Sequence, residues 1–173
     1  MVISAQWELV KGNSFGYTVL SAFGFFYGGY GAILTPLFGV KESYTDSVEY
    51  NNALGFFVLL WAVFNLFFLI ASLTINLVYI GIFLTVELAF ILVAASAFAA
   101  ADGRTRAATA LQTSGGVFAF LSGLLGWYTV GHLMCQEALF FSFPMGDTSR
   151  FFQKNKLNEE RPRPQNDGRS DDL

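Results

Sequence analysis

The stretch from Lys11 to Pro36, KGNSFGYTVLSAFGFFYGGYGAILTP, decides how the rest of the chain is read. Beyond Lys11 it carries no charge, and the apolar run extends from Phe15 to Val40 with glycines and aromatics mixed through it. Roughly 20 apolar residues at about 1.5 Å each match a hydrocarbon core of about 30 Å, so this run is long enough to cross a bilayer. Gly24 and Gly28 are four residues apart on one helix face, with Gly31 close by. Small residues so spaced let a second backbone approach closely, or leave room along a pore.

Composition points the same way. With 54% hydrophobic residues, 20 Phe and only 13% charged residues, the chain has too little polar surface to cover a soluble globule. Its mean hydropathy is +0.48. The fold class expected is all-α, a polytopic transmembrane helix bundle. Outside the tail, the charges sit at segment ends, namely Glu8 and Lys11, Lys41 to Glu49, and Asp102 to Arg106. A net charge of -3 argues against a nucleic-acid partner. The single cysteine, Cys135, permits no intramolecular disulfide, and without a Cys/His cluster no metal or other cofactor is expected. Glu8 and Lys11 interrupt the segment where a signal peptide would need its apolar core, so the first span is expected to direct insertion itself.

From Ala53 to Ala101 the only charge is Glu87. One helix of that length would be about 73 Å long, more than twice the core thickness, so the run must hold two spans. The break is expected at Ser72 to Asn76, SLTIN, where polar side chains can hydrogen-bond turn backbone. Four spans follow, at about 15–39, 53–73, 77–100 and 115–141, with the loop ADGRTRAATALQTS before the last and Pro144 stopping it. The bundle then occupies 15–144, after a cytoplasmic lead at 1–14. The tail at 145–173 mixes acids, bases and prolines with almost no aliphatic residue, a composition that cannot offset ordering entropy and reads as disordered. Lys11, Arg150, Lys154, Lys156 and Arg161 on one side outweigh Lys41, Arg104 and Arg106 on the other, which puts both termini in the cytoplasm.

Few side chains stand out chemically. Asn13 or Ser14 can cap the first helix. An ionised acid at mid-bilayer costs about 2.5–3.5 kcal/mol even on lenient scales, so Glu87 should face the protein interior. It is then either a proton-coupling residue or a neutral acid bonded to a neighbouring helix. His132, near the end of the last span, reads as structural, although it can titrate near neutral pH. No nucleophile stands with a base, no paired carboxylates share a segment, and no glycine loop suits a phosphate, so no enzyme is expected. A bundle lined by small residues, aromatics and scattered Thr, Ser and Asn can instead pass a small, partly desolvated solute.

Several blocks carry a family resemblance: WELVKGNSFG, SAFGFFYGGYGAI, NNALGFFVLLWAVFNLF, the SGG opening of the last span, GWY at Gly126 to Tyr128, and FPMGD. In order and spacing, from about Trp7 to Asp147, they resemble the acetate uptake transporter family of fungal acetate permeases and bacterial succinate/acetate permeases. The resemblance implies a six-span protomer with cytoplasmic termini, a hexameric homo-oligomer in the plasma membrane, and passage of acetate or a related monocarboxylate. The family's first two spans, with their N-P-A-P-L-G-L motif, have no counterpart here. A truncated product is expected over a true four-span relative, because losing those helices would expose faces shaped for protein contact.

Carried over position by position, Asn13 matches the family's Asn at the cytoplasmic mouth, where it can equally be a helix cap. Phe23 stands where bacterial members narrow the pathway with a Tyr, and reads either as a drier constriction or as a packing residue. Val86 falls near another narrowing position in an ungapped comparison, and fungal relatives also carry an acid beside it, at Glu87. Thr129 replaces an Asn that follows GWY, and Thr74 replaces a basic residue of fungal members. Apolar constrictions favour a protonated acid over an anion, which makes proton-linked movement the expectation. Ammonia export is one alternative, and a truncated, non-transporting tetraspan with a regulatory or assembly role is the other.

Overall fold

The computed structural model describes residues 1–138 and 143–151. The described residues form five α-helices: α1 (Val2–Val10), α2 (Ser14–Leu34), α3 (Ser47–Ser72), α4 (Leu77–Ala101) and α5 (Thr105–Ala138). Two short 3-10 turns, Pro36–Phe38 and Lys41–Ser43, link α2 to α3. The all-α fold class read from composition and hydropathy is therefore the one adopted. Helices α3, α4 and α5 are each long and apolar enough to cross a membrane, and α2 with the turns after it makes a fourth such segment, bent by 75°. With the apolar helices in sequence, this is a multi-pass membrane protein.

Helices α2, α3 and α4 begin where a short polar side chain satisfies a free backbone N–H group of the first turn. The Asn13 side chain accepts from Gly16 N at 3.0 Å, Asp46 from Val48 N at 3.0 Å, and Asn76 from Tyr79 N at 2.8 Å. The ends are equally local. Thr35, the residue before Pro36, is extended at φ -85° and ψ 118°, because the proline ring disfavours helix in the residue ahead of it. So α2 stops at Leu34 and the chain bends, where the sequence suggested a span running on to residue 39. Gly103, at φ 73°, closes α4 in a left-handed conformation that suits glycine. Its N–H donates to Ala100 O and that of Arg104 to Ala99 O.

Two further helix bounds differ from the sequence expectation. Val2–Val10, within the lead expected at 1–14, is helical and packs back along α2. A Cβ at Gly24 would lie 2.6 Å from Val2 Cγ2, so this glycine is the seat of α1, whereas Gly28 and Gly31 have open space at their Cβ positions. Helix α5 begins at Thr105 rather than near Gly115, since the alanine- and threonine-bearing stretch RAATALQT continues the helix without a break. Its continuation beyond Ala138, expected to residue 141, lies outside the described residues, as does most of the tail at 145–173.

Helix α4 is the centre of the bundle, with α3 packed along one side and α5 along another. Between helices in lipid there is little hydrophobic driving force, so close packing and interhelical hydrogen bonds must hold them. The structure uses both. A Cβ at Gly55 would meet the Phe98 ring at 2.7 Å, and one at Gly115 would meet Val93 Cγ2 at 2.9 Å and Ala89 O at 3.3 Å. Ser96 Oγ donates to Ala108 O at 2.9 Å, tying α4 to α5. Helix α2 joins through rings, Phe26 touching Phe57, Trp61 and Phe90. Large apolar side chains such as Phe25, Phe56, Leu60, Phe67 and Phe120 remain on the outside.

The close approach at Gly115 gives a paired test. Gly115→Val should destabilise the detergent-solubilised protein by about 1–3 kcal/mol through overpacking, read as a lower melting temperature. Gly116→Val, at a position with nothing within 4 Å, should change it little.

Candidate functional site

Two polar features lie on one side of the bundle, connected by aromatic rings. The first is a cavity of about 550 Å³ at the end where α2 begins and the α3–α4 turn lies, lined among others by Asn13, Phe15, Asn76, Tyr79, Thr129, His132 and Asp147. The second is the part-buried contact between Asn65 of α3 and Glu87 of α4.

The cavity is built by end-of-helix chemistry. Asn13 is committed to its helix cap and also donates from Nδ2 to Glu8 Oε2 at 2.7 Å, so it ties α1 to α2. Thr129 Oγ1 donates to Leu125 O at 3.1 Å, which leaves its lone pairs for an outside donor. The segment 143–148, containing the FPMGD block, folds over the start of α4 as a strap. Leu77 N donates to Gly146 O at 2.8 Å and Val78 N to Met145 O at 3.4 Å, satisfying two N–H groups that the Asn76 cap does not reach. Tyr128 Oη donates to Pro144 O at 2.8 Å. His132 Nδ1 meets the carbonyl of Phe143, which requires a donor, so that nitrogen carries the proton. The Asp147 carboxyl is held below the usual carboxylate range by its side-chain and backbone hydrogen bonds to Ser149, with Arg150 adding to the effect.

From the cavity the rings lead inward. Phe15 lines it and touches Phe68 and Phe83, with centroids 6.5 and 5.9 Å away. Phe23 touches Phe68, Phe83 and Phe90 at 6.1, 6.4 and 6.4 Å. Phe83, Glu87 and Phe90 lie on one face of α4 by helical spacing, so the two rings that flank Glu87 both meet Phe23. Within this aromatic surround Asn65, 1% exposed, donates from Nδ2 to Phe83 O at 3.0 Å and to Glu87 Oε2 at 2.8 Å. Glu87 stands ten residues beyond Leu77, about 15 Å along α4, which is half of a hydrocarbon core.

Of the residues singled out from sequence, Asn13 and Thr129 thus share the outer cavity, while Phe23 and Glu87 share the aromatic surround deeper in. Val86 is half-buried and packs against the same core cluster as Phe23. The sequence reading missed Asn65, His132 as part of the cavity, and the strap. Asn65 had a usable signal, being the one amide deep in the apolar run between the α3 start and the turn. Folding that run at 73–76 lays Asn65 beside the α4 turn from Phe83 to Glu87.

The strap can be tested directly. A Cβ at Gly146, which has φ 67°, would lie 2.9 Å from Leu77 Cβ. Gly146→Val should therefore detach the strap, read as faster tryptic cleavage after the exposed Arg150.

Comparison with known proteins fits these features. Residues 1–148 match the model of the GPR1/FUN34/yaaH family. An acetate transporter protein patA of Aspergillus clavatus is 51% identical over 159 residues, covering 91% of this chain and 64% of that protein. The protein of the same name from Penicillium expansum is 51% identical over 155 residues, 89% of this chain and 62% of its own length. The ammonia transport outward protein 2 of Saccharomyces cerevisiae is 32% identical over 128 residues, 73% and 43% of the two chains. The chain thus spans less than two thirds of the length of these relatives. No solved structure matches it. A family match over nearly all of the described residues, together with half-identity to two fungal proteins, establishes that the chain belongs to the GPR1/FUN34/yaaH family, the acetate uptake transporter family.

Proposed function

We propose that the chain moves acetate or a related small monocarboxylate across a membrane, in a proton-linked manner, through the path from the outer cavity past Phe23 to Glu87. The observation that carries this reading is the Asn65–Glu87 contact, a polar side-chain pair at half-membrane depth beside aromatic rings. Such a passage suits a solute that is small, partly apolar and neutral when protonated. A carboxylate anion would need donors along the way, and the threonine hydroxyls near the path, Thr85 and Thr129, are turned to carbonyls of their own helix. The names of the two half-identical relatives support acetate as the solute. In this reading Asn13 and Thr129 flank the outer cavity, Phe23 and Val86 form the narrow apolar part, and Glu87 exchanges the proton. The protein would act as a homo-oligomer, a hexamer by family likeness, in the plasma membrane with both termini cytoplasmic, and as a transporter rather than an enzyme.

Ammonia is a second reading, favoured by the relative named for outward ammonia transport. A narrow aromatic path suits any small neutral solute, so competition separates the two. Acetate uptake should be inhibited by other monocarboxylates and not by ammonium.

The direct test is acetate uptake into vesicles containing the full-length protein, measured against pH at fixed acetate-anion concentration. Uptake should rise as pH falls, and Glu87→Gln should flatten that profile while leaving the protein folded. A wild-type rate independent of pH would overturn the proton-linked reading.

A further inference from the structure

We propose that Asn65 is the positioning residue for proton exchange at Glu87, its amide serving the carboxyl group in both protonation states. This rests on the transport reading above for its role, though not for its chemistry. Both hydrogens of Asn65 Nδ2 are used, one on Phe83 O and one on Glu87 Oε2. Its Oδ1 is buried and has no hydrogen-bond partner. An acceptor left unmade in such a place is costly, and only a donor can satisfy it.

Glu87 can supply that donor. When ionised it has only acceptor atoms, takes the charge-assisted bond from Nδ2, and leaves Oδ1 empty. When it gains a proton, from water or from the carboxyl group of a passing solute, its second oxygen becomes an O–H that can donate to Oδ1. The amide edge and the carboxylic acid then face each other as complementary donor–acceptor pairs. On release the proton returns to water or solute and the first arrangement is restored. A threonine in place of Asn65 would turn its hydroxyl to its own helix, as Thr85 does to Gly81 O, and leucine would offer neither bond. An amide, with donor and acceptor in one rigid plane, meets both states of the acid.

Among the described residues, the titratable groups of the helices packed around this pair are few. The rings around Glu87 come from Phe23, Phe83 and Phe90, and the nearest titratable group on α2 is Tyr27, in contact with Phe23. On α3 the titratable residues are Glu49 and Tyr50, at its start; on α4, Tyr79; and on α5, Arg106 near its start with Tyr128, His132, Cys135 and Glu137 near its end. Helix α2 adds Tyr17 and Tyr30 and has no Asp, Glu, Lys, Arg or His. The charges of α1 and the turn after it, Glu8 and Lys11, belong to the mouth.

The experiment is an infrared titration of the full-length protein in lipid vesicles without acetate, following the carboxylic-acid C=O band that Glu87→Gln removes. In Asn65→Leu the midpoint of that band should move to higher pH, because the charge-assisted bond lost by the carboxylate is stronger than the neutral bond lost by the acid. Asn65→Gln, which keeps both bonding groups, should stay closer to wild type than Asn65→Leu does. An unchanged midpoint in Asn65→Leu would overturn the proposal. Should that variant not fold, wild-type protein with isotope-labelled asparagine decides: one side-chain amide C=O band should fall in frequency as Glu87 gains its proton, and should not in Glu87→Gln. A band that fails to respond overturns the proposal as well. Because neither spectrum involves solute, loss of acetate transport in the parallel uptake assay would strike the transport reading and leave the Asn65–Glu87 chemistry standing.

Discussion

Inside a hydrocarbon layer a polar group has no water to fall back on, and every N–H, C=O, hydroxyl or carboxyl must find its partner within the protein. That constraint shapes this chain from its turns to its site. Helices satisfy their own interiors, so the demand concentrates at their ends and at the few polar side chains between them. Asn13, Asp46 and Asn76 cap the starts of α2, α3 and α4, and the strap at 143–148 supplies the carbonyls for the N–H groups of Leu77 and Val78. Thr18, Thr85, Thr109 and Thr113 turn their hydroxyls to carbonyls one turn back. Against that background Asn65 and Glu87 stand out, because they find each other across two helices instead of closing locally.

How much of this can be read from sequence depends on whether the determinant is local. The turn between α3 and α4 is legible, since Ser72, Thr74 and Asn76 are the polar residues in an apolar run too long for one span. Each of them bonds backbone at the helix ends that border the turn: Ser72 to Leu69 O, Thr74 to Ala71 O, and Asn76 to Tyr79 N. The Asn13 cap is legible for the same reason. The packing of α1 is not, because Trp7, Glu8 and Lys11 read as an interfacial lead until Val2 is seen on Gly24. Nor is the length of α5, where Thr105 to Thr113 are polar enough to pass for a loop and yet carry no breaker.

The site divides in the same way. Glu87 can be picked out alone, as the one acid in its run, and Phe23 only through likeness to a family. Asn65 requires a tertiary step, folding the run at residues 73–76 and asking which α4 turn lies beside it. His132 is harder still. Its partner is the carbonyl of Phe143, beyond the end of α5, and no periodicity points there. Local rules therefore recover the caps and turns, hydropathy recovers the helices, and the contacts that join helices need the fold.

The placement of the polar pair also has a consequence for how a solute can pass. Had Glu87 lain in open apolar surroundings, ionising it would be costly and it would stay protonated, a passive filler of space. Had it been paired with Lys or Arg it would stay ionised, and a carboxylate solute would meet a fixed salt bridge. An amide partner does neither. In the proposed pairing it can bond either state, donating to the carboxylate and offering an unused acceptor to the acid. The aromatic rings of Phe23, Phe83 and Phe90, packed on one another beside the pair, offer no polar partner of their own. Under the transport proposed above, a neutral acid molecule arriving between those rings would be the natural carrier for the proton, and the width of the passage, rather than a charged gate, would set which acids are small enough to bring one.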